Sequence, residues 1–469
     1  MGEGVEGKNQ MISKNPAVTG MVSLIFGDIL IAAGAFYIGI YLRFGGIEEG
    51  LIKYEHIVIR GMSFVLVPIL CSFFIELYEQ QKNRGRKEIL LRCLIAGVFS
   101  MIVLSSIYYI IPETKLWRGN LAFSLLIFTA AQFVWHTTYT IFLRIPTFAK
   151  RVLILGIGQN AERIGSLIGA TNHNYVLAGY IDFPSEALAV PAYQIVGDRK
   201  NICETAQKER AHKIVISLSE KRGVLPLKDM MNCKLSGIDV LDAPSFYEEV
   251  MGKLFIEDTR PSWFIFSDGF RITALKKIYK RFFDIMSSLA GLTIASPLIL
   301  LAGILIKVNS PGPVFFRQSR VGEREKNFVL CKFRTMRQDA EQETGAVWAQ
   351  ENDPRVTGMG NILRKTRFDE IPQLFNVLKG DMSLIGPRPE RPEFVEKLKE
   401  IIPYYSERHF VKPGITGWAQ VKYRYGASVE DAIEKLRYDL YYIKNLSFFL
   451  DMLIVLETVK VVLFGRGSR

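Results

Sequence analysis

Residues 364–390 read RKTRFDEIPQLFNVLKGDMSLIGPRPE and set Arg364, Lys365, Arg367 and Arg388 around the acidic pair Asp369-Glu370. Asp369 precedes a helix-like run with Pro372 in its first turn, so the spacing predicts an N-cap or first-turn carboxylate that accepts backbone N–H groups and stays ionised. An ionised carboxylate can attack phosphorus and split one hard transfer into two easier ones. An anion approaching an anion needs its charge offset. Arg364, Lys365 and Arg388, with Lys332 and Arg334 on a preceding strand, are candidates to clamp a diphosphate, arginine through planar two-point contacts. Glu370 is a candidate Mg²⁺ ligand, because that ion favours oxygen donors and commonly bridges a carboxylate to substrate phosphates. Taken alone, an Asp-Glu pair at a helix start is usually just a solvated cap.

The chain around this segment has 469 residues and a net charge of +12, with 49% hydrophobic residues. A mean hydropathy of +0.16 beside a pI near 9.3 points to membrane helices joined to a basic soluble part. The basic excess suits anionic lipid, nucleic acid or phosphorylated substrates, and the absence of zinc-finger, RRM or basic-zipper patterns argues against nucleic acid. The five cysteines, Cys71, Cys93, Cys203, Cys233 and Cys331, are scattered without CxxC or Cys/His spacing. Reduced thiols are expected, with neither zinc nor a disulfide framework.

Four apolar segments come first: 18–42, 61–77, 94–111 and 121–143. Each is near the ~20 residues needed to cross hydrocarbon, and the first is too long for the apolar region of a cleaved signal peptide. Basic residues follow the second segment (Lys82, Arg84, Arg86, Lys87, Arg92) and the fourth (Arg144, Lys150, Arg151). The positive-inside rule therefore predicts that the amino terminus and everything after residue 144 are cytoplasmic. Asp28 inside the first span calls for a structural partner within the bundle.

From Arg151 the texture becomes RVLILGIGQNAERIGSLI, an apolar strand running into Gly156-x-Gly158 and a helical pattern. YVLAGYIDF and AHKIVISLS continue a βαβ rhythm. Gly156 and Gly158 are candidate cofactor-binding positions, since glycines let the backbone approach a phosphate at a helix start. Ala161 replaces the third glycine and Asp182 lies only loosely where a ribose ligand would be, so a Rossmann-like fold kept for regulation or assembly is the competing reading.

The segment from Lys276 to Phe316 has an apolar core, 285–306, with basic residues at both ends and Ser296-Pro297 in the middle. A simple spanning helix would put one basic cluster outside. A helix broken at Ser296 and Pro297 that dips into one leaflet and returns satisfies both features, with the carbonyl of Thr293 freed by proline and met either by the Ser296 hydroxyl or by adjacent backbone. A Pro-kinked transmembrane helix is the alternative. Next come a two-strand hairpin within 313–336 and short helices within 357–378. Near the carboxy end, LSFFLDMLIVLETVKVVLF contains Asp451, Glu457 and Lys460, which favour a helix at the interface or packed on a partner over a further span.

KRFFDIMSSLAGLTIASPLILL, GPVFFRQSRVG, KFRTM, RKTRFDEIPQLFNVLKGDMSLIGPRPE and VKPGITGWAQV together make the block from Lys276 onward resemble the bacterial sugar transferases of the monotopic polyprenyl-phosphate phosphoglycosyl transferase family. The whole chain is similar to the large members of that family. LDAPSFYEEVMGKLFIEDTRPSWFIFSDGF further resembles an exosortase-linked (PEP-CTERM-associated) exopolysaccharide subfamily. The resemblance implies a multidomain membrane protein with three parts: a four-helix transmembrane bundle (1–148), an α/β Rossmann-like, CoA-binding-like cytoplasmic domain (149–268), and a mainly α catalytic domain (275–469) with a re-entrant helix at 280–307. It implies transfer of a sugar 1-phosphate from a UDP-sugar to undecaprenyl phosphate with release of UMP, as the initiating step of exopolysaccharide assembly. Asp369 would be the nucleophile that forms a phosphosugar adduct, and Glu370 the Mg²⁺ ligand. Lys332, Arg364 and Arg388 would bind phosphate, Glu390 would contact nucleotide or sugar, and Ser296-Pro297 would break the re-entrant helix. The implied setting is the bacterial inner membrane and its lipids, with the catalytic domain facing the cytoplasm, and the chain is expected to form a homodimer.

Two other functions stay open on the sequence. A membrane glycosyltransferase would release UDP, although its usual DxD motif is not evident. A non-enzymatic assembly or regulatory protein of a polysaccharide export system would use the Rossmann-like region as a sensor.

Overall fold

The computed structural model describes residues 16–46, 48, 56–79, 85–144, 149–171, 175–183, 186–218, 225–257, 259, 261–267, 269–338, 340, 354–423, 426 and 428–463. Lys82 and Arg84 of the basic stretch after the second span lie outside them. The chain forms two compact units, 1–250 and 251–469.

The first unit opens with four long apolar helices: α1 (Pro16–Phe44), α2 (Ile57–Phe74), α3 (Arg86–Ile110) and α4 (Arg118–Arg144). All four are long and apolar enough to cross a membrane. Ala32, Phe36, Ile40, Phe64, Leu104 and Phe128 fill the bundle interior, while Leu30, Val98 and Leu126 stay exposed on its outside, as hydrocarbon surroundings favour. Asp28 has the expected structural partners. Its Oδ2 accepts hydrogen bonds from the Tyr78 hydroxyl (2.7 Å) and Gln132 Nε2 (2.5 Å), and His136 Nε2 lies 3.2 Å away.

The same unit continues with β1 (Lys150–Leu155), α5 (Gln159–Thr171), β2 (Tyr175–Asp182), β3 (Ile195–Asp198), α6 (Ile202–Lys208), β4 (Lys213–Ile216), α7 (Leu227–Leu235), β5 (Asp239–Asp242) and α8 (Ala243–Met251). The strands form a parallel sheet in the order β3-β2-β1-β4-β5. Val152 to Leu155 are fully buried, as a central parallel strand covered on both faces requires.

The second unit begins at Met251, ahead of the sequence-based start at 275. Its opening stretch, including α9 (Pro261–Phe266), is tied to the rest of this unit: Leu254 N donates to Arg437 O (3.1 Å), Trp418 Nε1 to Gly252 O (3.0 Å) and the Tyr404 hydroxyl to Thr259 O (3.0 Å). Then comes α10 (Ala274–Asn309), a 36-residue helix about 54 Å long at 1.5 Å per residue. It is the fifth helix apolar enough to span. The helix runs through Pro297, and Ser296 Oγ donates to Thr293 O (2.8 Å), the carbonyl that proline leaves without its usual donor.

The second unit continues with the predicted hairpin, β6 (Phe315–Val321) antiparallel to β7 (Asn327–Phe333). Its remaining elements are α11 (Gly358–Lys365), α12 (Gln373–Lys379), β8 (Ser383–Ile385), α13 (Pro392–Ile401), β9 (Gly414–Thr416), α14 (Trp418–Lys422), α15 (Val429–Lys444) and α16 (Phe448–Leu463). One face of α10 seats these elements. Arg281 donates to Val377 O (2.6 Å) and Leu378 O (2.7 Å), capping the last turn of α12, and Asp284 Oδ1 accepts from Ser383 Oγ (3.0 Å) and Leu384 N (2.9 Å). The charges of α16 are buried inside the domain: Asp451 accepts from Tyr442 (2.7 Å) and Lys280 (3.2 Å), and Lys460 lies 3.5 Å from Glu457.

Candidate active site

The acidic pair lies in a single 3₁₀ turn, Phe368–Glu370, between α11 and α12. Arg367 adopts a left-handed φ of 56°, which reverses the chain into the turn. The Phe368 ring stacks on Phe333 of β7 at 6.1 Å and 8°, fixing the turn against the hairpin. Asn376 locks α12 to the same strand, donating to Val329 O (2.8 Å) and accepting from Cys331 N (3.1 Å). Lys332, the next residue along β7, is thereby held 3.6 Å from Glu370 Oε1.

Glu370 is the centre of a cation cluster. Arg388 Nη2 donates to its Oε1 (3.0 Å), and Arg367 Nη1 lies 3.7 Å from Oε2. Burial alone would push the Glu370 carboxyl up, but Arg388, then Lys332 and Arg367, pull it down to about 2, so it is ionised. Burial lowers the Lys332 ammonium to about 8, with Glu370 acting against that shift.

Asp369 differs from the cap expected of it. Pro372 takes the N-cap position of α12, and Asp369 accepts no hydrogen bond and forms no ion pair among the described residues. Its carboxyl is pushed up by burial and by the neighbouring charge of Glu370, with Lys332, Arg364 and Arg388 acting the other way. Helix capping therefore plays no part in its electrostatics; the only groups that favour its charged form are those three cations.

The other predicted residues separate into two groups. Arg364 faces Asp369 electrostatically and is steadied by Thr335, whose Oγ1 accepts from its Nε (3.0 Å). Glu390 lies 3.6 Å from Arg320, whose charge in turn acts on Lys332. Arg334 is not brought to the acidic pair: it is buried and donates to Pro311 O (2.9 Å), Ser310 O (2.7 Å) and Ser310 Oγ (2.7 Å), which fixes the connection between α10 and β6. Lys365 is exposed at the end of α11. Sequence reasoning missed Thr335, which only its place in the KFRTM motif marked.

The glycine loop of the Rossmann-like domain is filled by its own chain. The backbone N–H groups of Ile157 and Gly158 both donate to Glu186 Oε2, each at 3.0 Å. Gly156 has φ of +121°, and a Cβ there would come within 2.8 Å of that same oxygen and of Ser217 Oγ, which explains the need for glycine without invoking a ligand. Asp182 ends β2 beside Asp198 of β3.

The fit to Mg²⁺ rests on the donor set. Glu370 and the adjacent Asp369 offer hard oxygen donors, one of them firmly ionised, and no cluster of three or more His, Cys, Asp and Glu exists among the described residues. A lone carboxylate pair suits an ion that takes its remaining ligands from water and substrate phosphates.

Residues 275–465 match the family model described as bacterial sugar transferase. The chain is 44% identical over 240 residues to the UDP-N-acetylgalactosamine-undecaprenyl-phosphate N-acetylgalactosaminephosphotransferase of Aeromonas hydrophila, covering 51% of this chain and 56% of that protein. It is 43% identical over 187 residues to the exopolysaccharide production protein PSS of Rhizobium leguminosarum bv. phaseoli, covering 39% of this chain and 94% of that one. The similarity to the UDP-glucose:undecaprenyl-phosphate glucose-1-phosphate transferase of Xanthomonas campestris pv. campestris extends over 422 residues at 29% identity, covering 85% of each.

Proposed function

Because the chain belongs to the bacterial sugar transferase family, we propose that it transfers a sugar 1-phosphate from a UDP-sugar to undecaprenyl phosphate, the initiating step of exopolysaccharide assembly. The observation that supports this most directly is the Asp369 carboxylate, which has no bonded partner among the described residues and feels the charges of Lys332, Arg364 and Arg388.

In the first step an Asp369 oxygen attacks the β-phosphorus of the UDP-sugar. The bond from that phosphorus to the oxygen bridging the two phosphates breaks, and UMP leaves with the electron pair. In the second step a phosphate oxygen of undecaprenyl phosphate attacks the phosphosugar aspartate, the bond to Asp369 breaks, and the carboxylate is restored. Lys332, Arg364 and Arg388 offset the charge of each phosphate in turn, as preorganised donors do most effectively in a pocket sheltered from water. Glu370 would hold Mg²⁺, which supplies Lewis-acid stabilisation of phosphate charge when bound. Glu390 faces the nucleotide or sugar.

The membrane reading follows from the same chemistry. Nucleotide sugars are cytosolic and the acceptor phosphate lies at headgroup depth. A cytoplasmic catalytic domain at the inner membrane, with α10 entering and leaving the same leaflet around Ser296-Pro297, meets both substrates. The basic residues at both ends of α10 support that placement over a span. A homodimer and membership of the exosortase-linked subfamily complete the proposal.

The test is the nucleotide released by purified full-length protein with Mg²⁺, undecaprenyl phosphate and either UDP-N-acetylgalactosamine or UDP-glucose, the donors in the relatives' names. UMP is expected. Release of UDP would identify an ordinary glycosyltransferase instead.

A further inference from the structure

We propose that Arg408, backed by Asp439, is a positioning residue for this reaction: it holds the main chain of the 387–390 loop so that the Arg388 guanidinium meets Glu370. The inference rests on the transferase reading above.

All four carbonyls of the loop are engaged. Pro387 O accepts from Gly414 N (2.9 Å), Arg388 O from Arg408 Nη2 (3.0 Å), Pro389 O from Arg320 Nη1 (3.2 Å) and Glu390 O from Val321 N (3.0 Å). Pro387 and Pro389 fix φ on either side of Arg388. Four acceptors and two rigid rings leave the loop little freedom, and the bond at Arg388 acts on the residue whose side chain reaches the site.

Its donor is built for that task. Arg408 is buried on the 3₁₀ segment Tyr405–Phe410, and its Nη2 is shared between Arg388 O and Asp439 Oδ2 of α15 (2.8 Å). Its Nη1 donates to the Tyr405 hydroxyl (2.6 Å). Asp439 and Tyr405 are themselves almost wholly buried. The planar fork is therefore held by Asp439 and Tyr405, and the second N–H of Nη2 is directed at the Arg388 carbonyl. Arg388 is 29% exposed and would otherwise sample many rotamers; anchoring its backbone fixes where that long side chain begins. Small displacements of such a group cost rate steeply.

A double-mutant cycle with R388Q separates positioning from simple stabilisation, using UMP release by full-length protein in nanodiscs at a temperature where every variant is folded. R408Q is expected to lower kcat/KM by roughly 10- to 100-fold in the wild-type background and by less than about 2-fold when R388Q is already present. The two single variants should also share one division of the loss between kcat and KM. If R408Q does not fold, R408K enters the same cycle, since it keeps a cation for Asp439 and removes the planar fork. Additive losses, or full activity in R408Q, would overturn the proposal while UMP release by the wild type upholds the transferase reading. Absence of UMP from the wild type would count against both.

Discussion

The loop at Gly156 and the pocket at Asp369 both present groups suited to a phosphate, and they end in opposite states. In the Rossmann-like domain two backbone donors close on the chain's own Glu186. In the catalytic domain Glu370 collects Arg388, Lys332 and Arg367, which leaves the adjacent Asp369 carboxylate without a bonded partner among the described residues. The difference is one of stoichiometry. One carboxylate satisfies two N–H groups and the loop is complete; one carboxylate cannot neutralise a ring of fixed cations, and positive potential remains for an incoming phosphate. A binding-type motif is therefore informative only once the intramolecular anion has been looked for.

The largest effect that would break this contrast belongs to Asp369. D369N keeps the shape and removes the nucleophilic charge, so UMP release should fall by about 10³-fold or more; turnover near wild type would make the open carboxylate incidental. R388Q is expected to cost about 10²-fold in kcat/KM, in line with losing one preorganised charged donor, with the folded state retained in a thermal scan. E186A should do the reverse. Leaving the Ile157 and Gly158 N–H groups without their acceptor should cost about 1–3 kcal/mol of stability, read as a lower Tm, while UMP release stays within about 2-fold of wild type. Parallel loss of activity in E186A would mean that the glycine loop is part of the reaction.

A smaller, pH-dependent effect sharpens the comparison further. His409, beside Arg408, is lowered to about 4 by burial and then by the charge of Arg408, with Glu325 opposing and Lys399 adding to the fall. The folded state thus prefers the neutral ring, whose ordinary pKa is about 6.5. Its contribution is fully present above about pH 6.5 and is lost as pH drops toward 4, by at most about 3 kcal/mol. Thermal scans between pH 7 and 4.5 should show this slope for the wild type and a flatter one for H409Q.

Much of the architecture was legible because it is written in local pattern. Apolar runs of span length gave α1 to α4, and alternating buried runs around glycine gave the parallel sheet. The polar turn in 313–336 gave the hairpin, and Pro297 marked Thr293 as the freed carbonyl, which the Ser296 hydroxyl meets in the structure. The acidic pair and most of its cations were visible from residue type and spacing. What escaped was set by contacts distant in sequence. Nothing near Gly158 marks Glu186 as the filler of its loop. Nothing near Arg388 marks Arg408 and Asp439, which lie 20 and 51 residues further on. Arg334 has the residue type of a phosphate ligand, but its backbone exits β7 toward Ser310, and the side chain is used there. The cap expected at Asp369 failed for a local reason, since Pro372 took that position and left the aspartate a turn earlier.

The covalent role proposed for Asp369 is tested by the mass of peptides spanning it after wild-type protein is mixed with a UDP-sugar and Mg²⁺, without undecaprenyl phosphate, and quenched. The expected result is a phosphosugar adduct on Asp369, with one UMP released per adduct and the adduct discharged when undecaprenyl phosphate is added. An unmodified Asp369 in a preparation that goes on to make lipid product would contradict it.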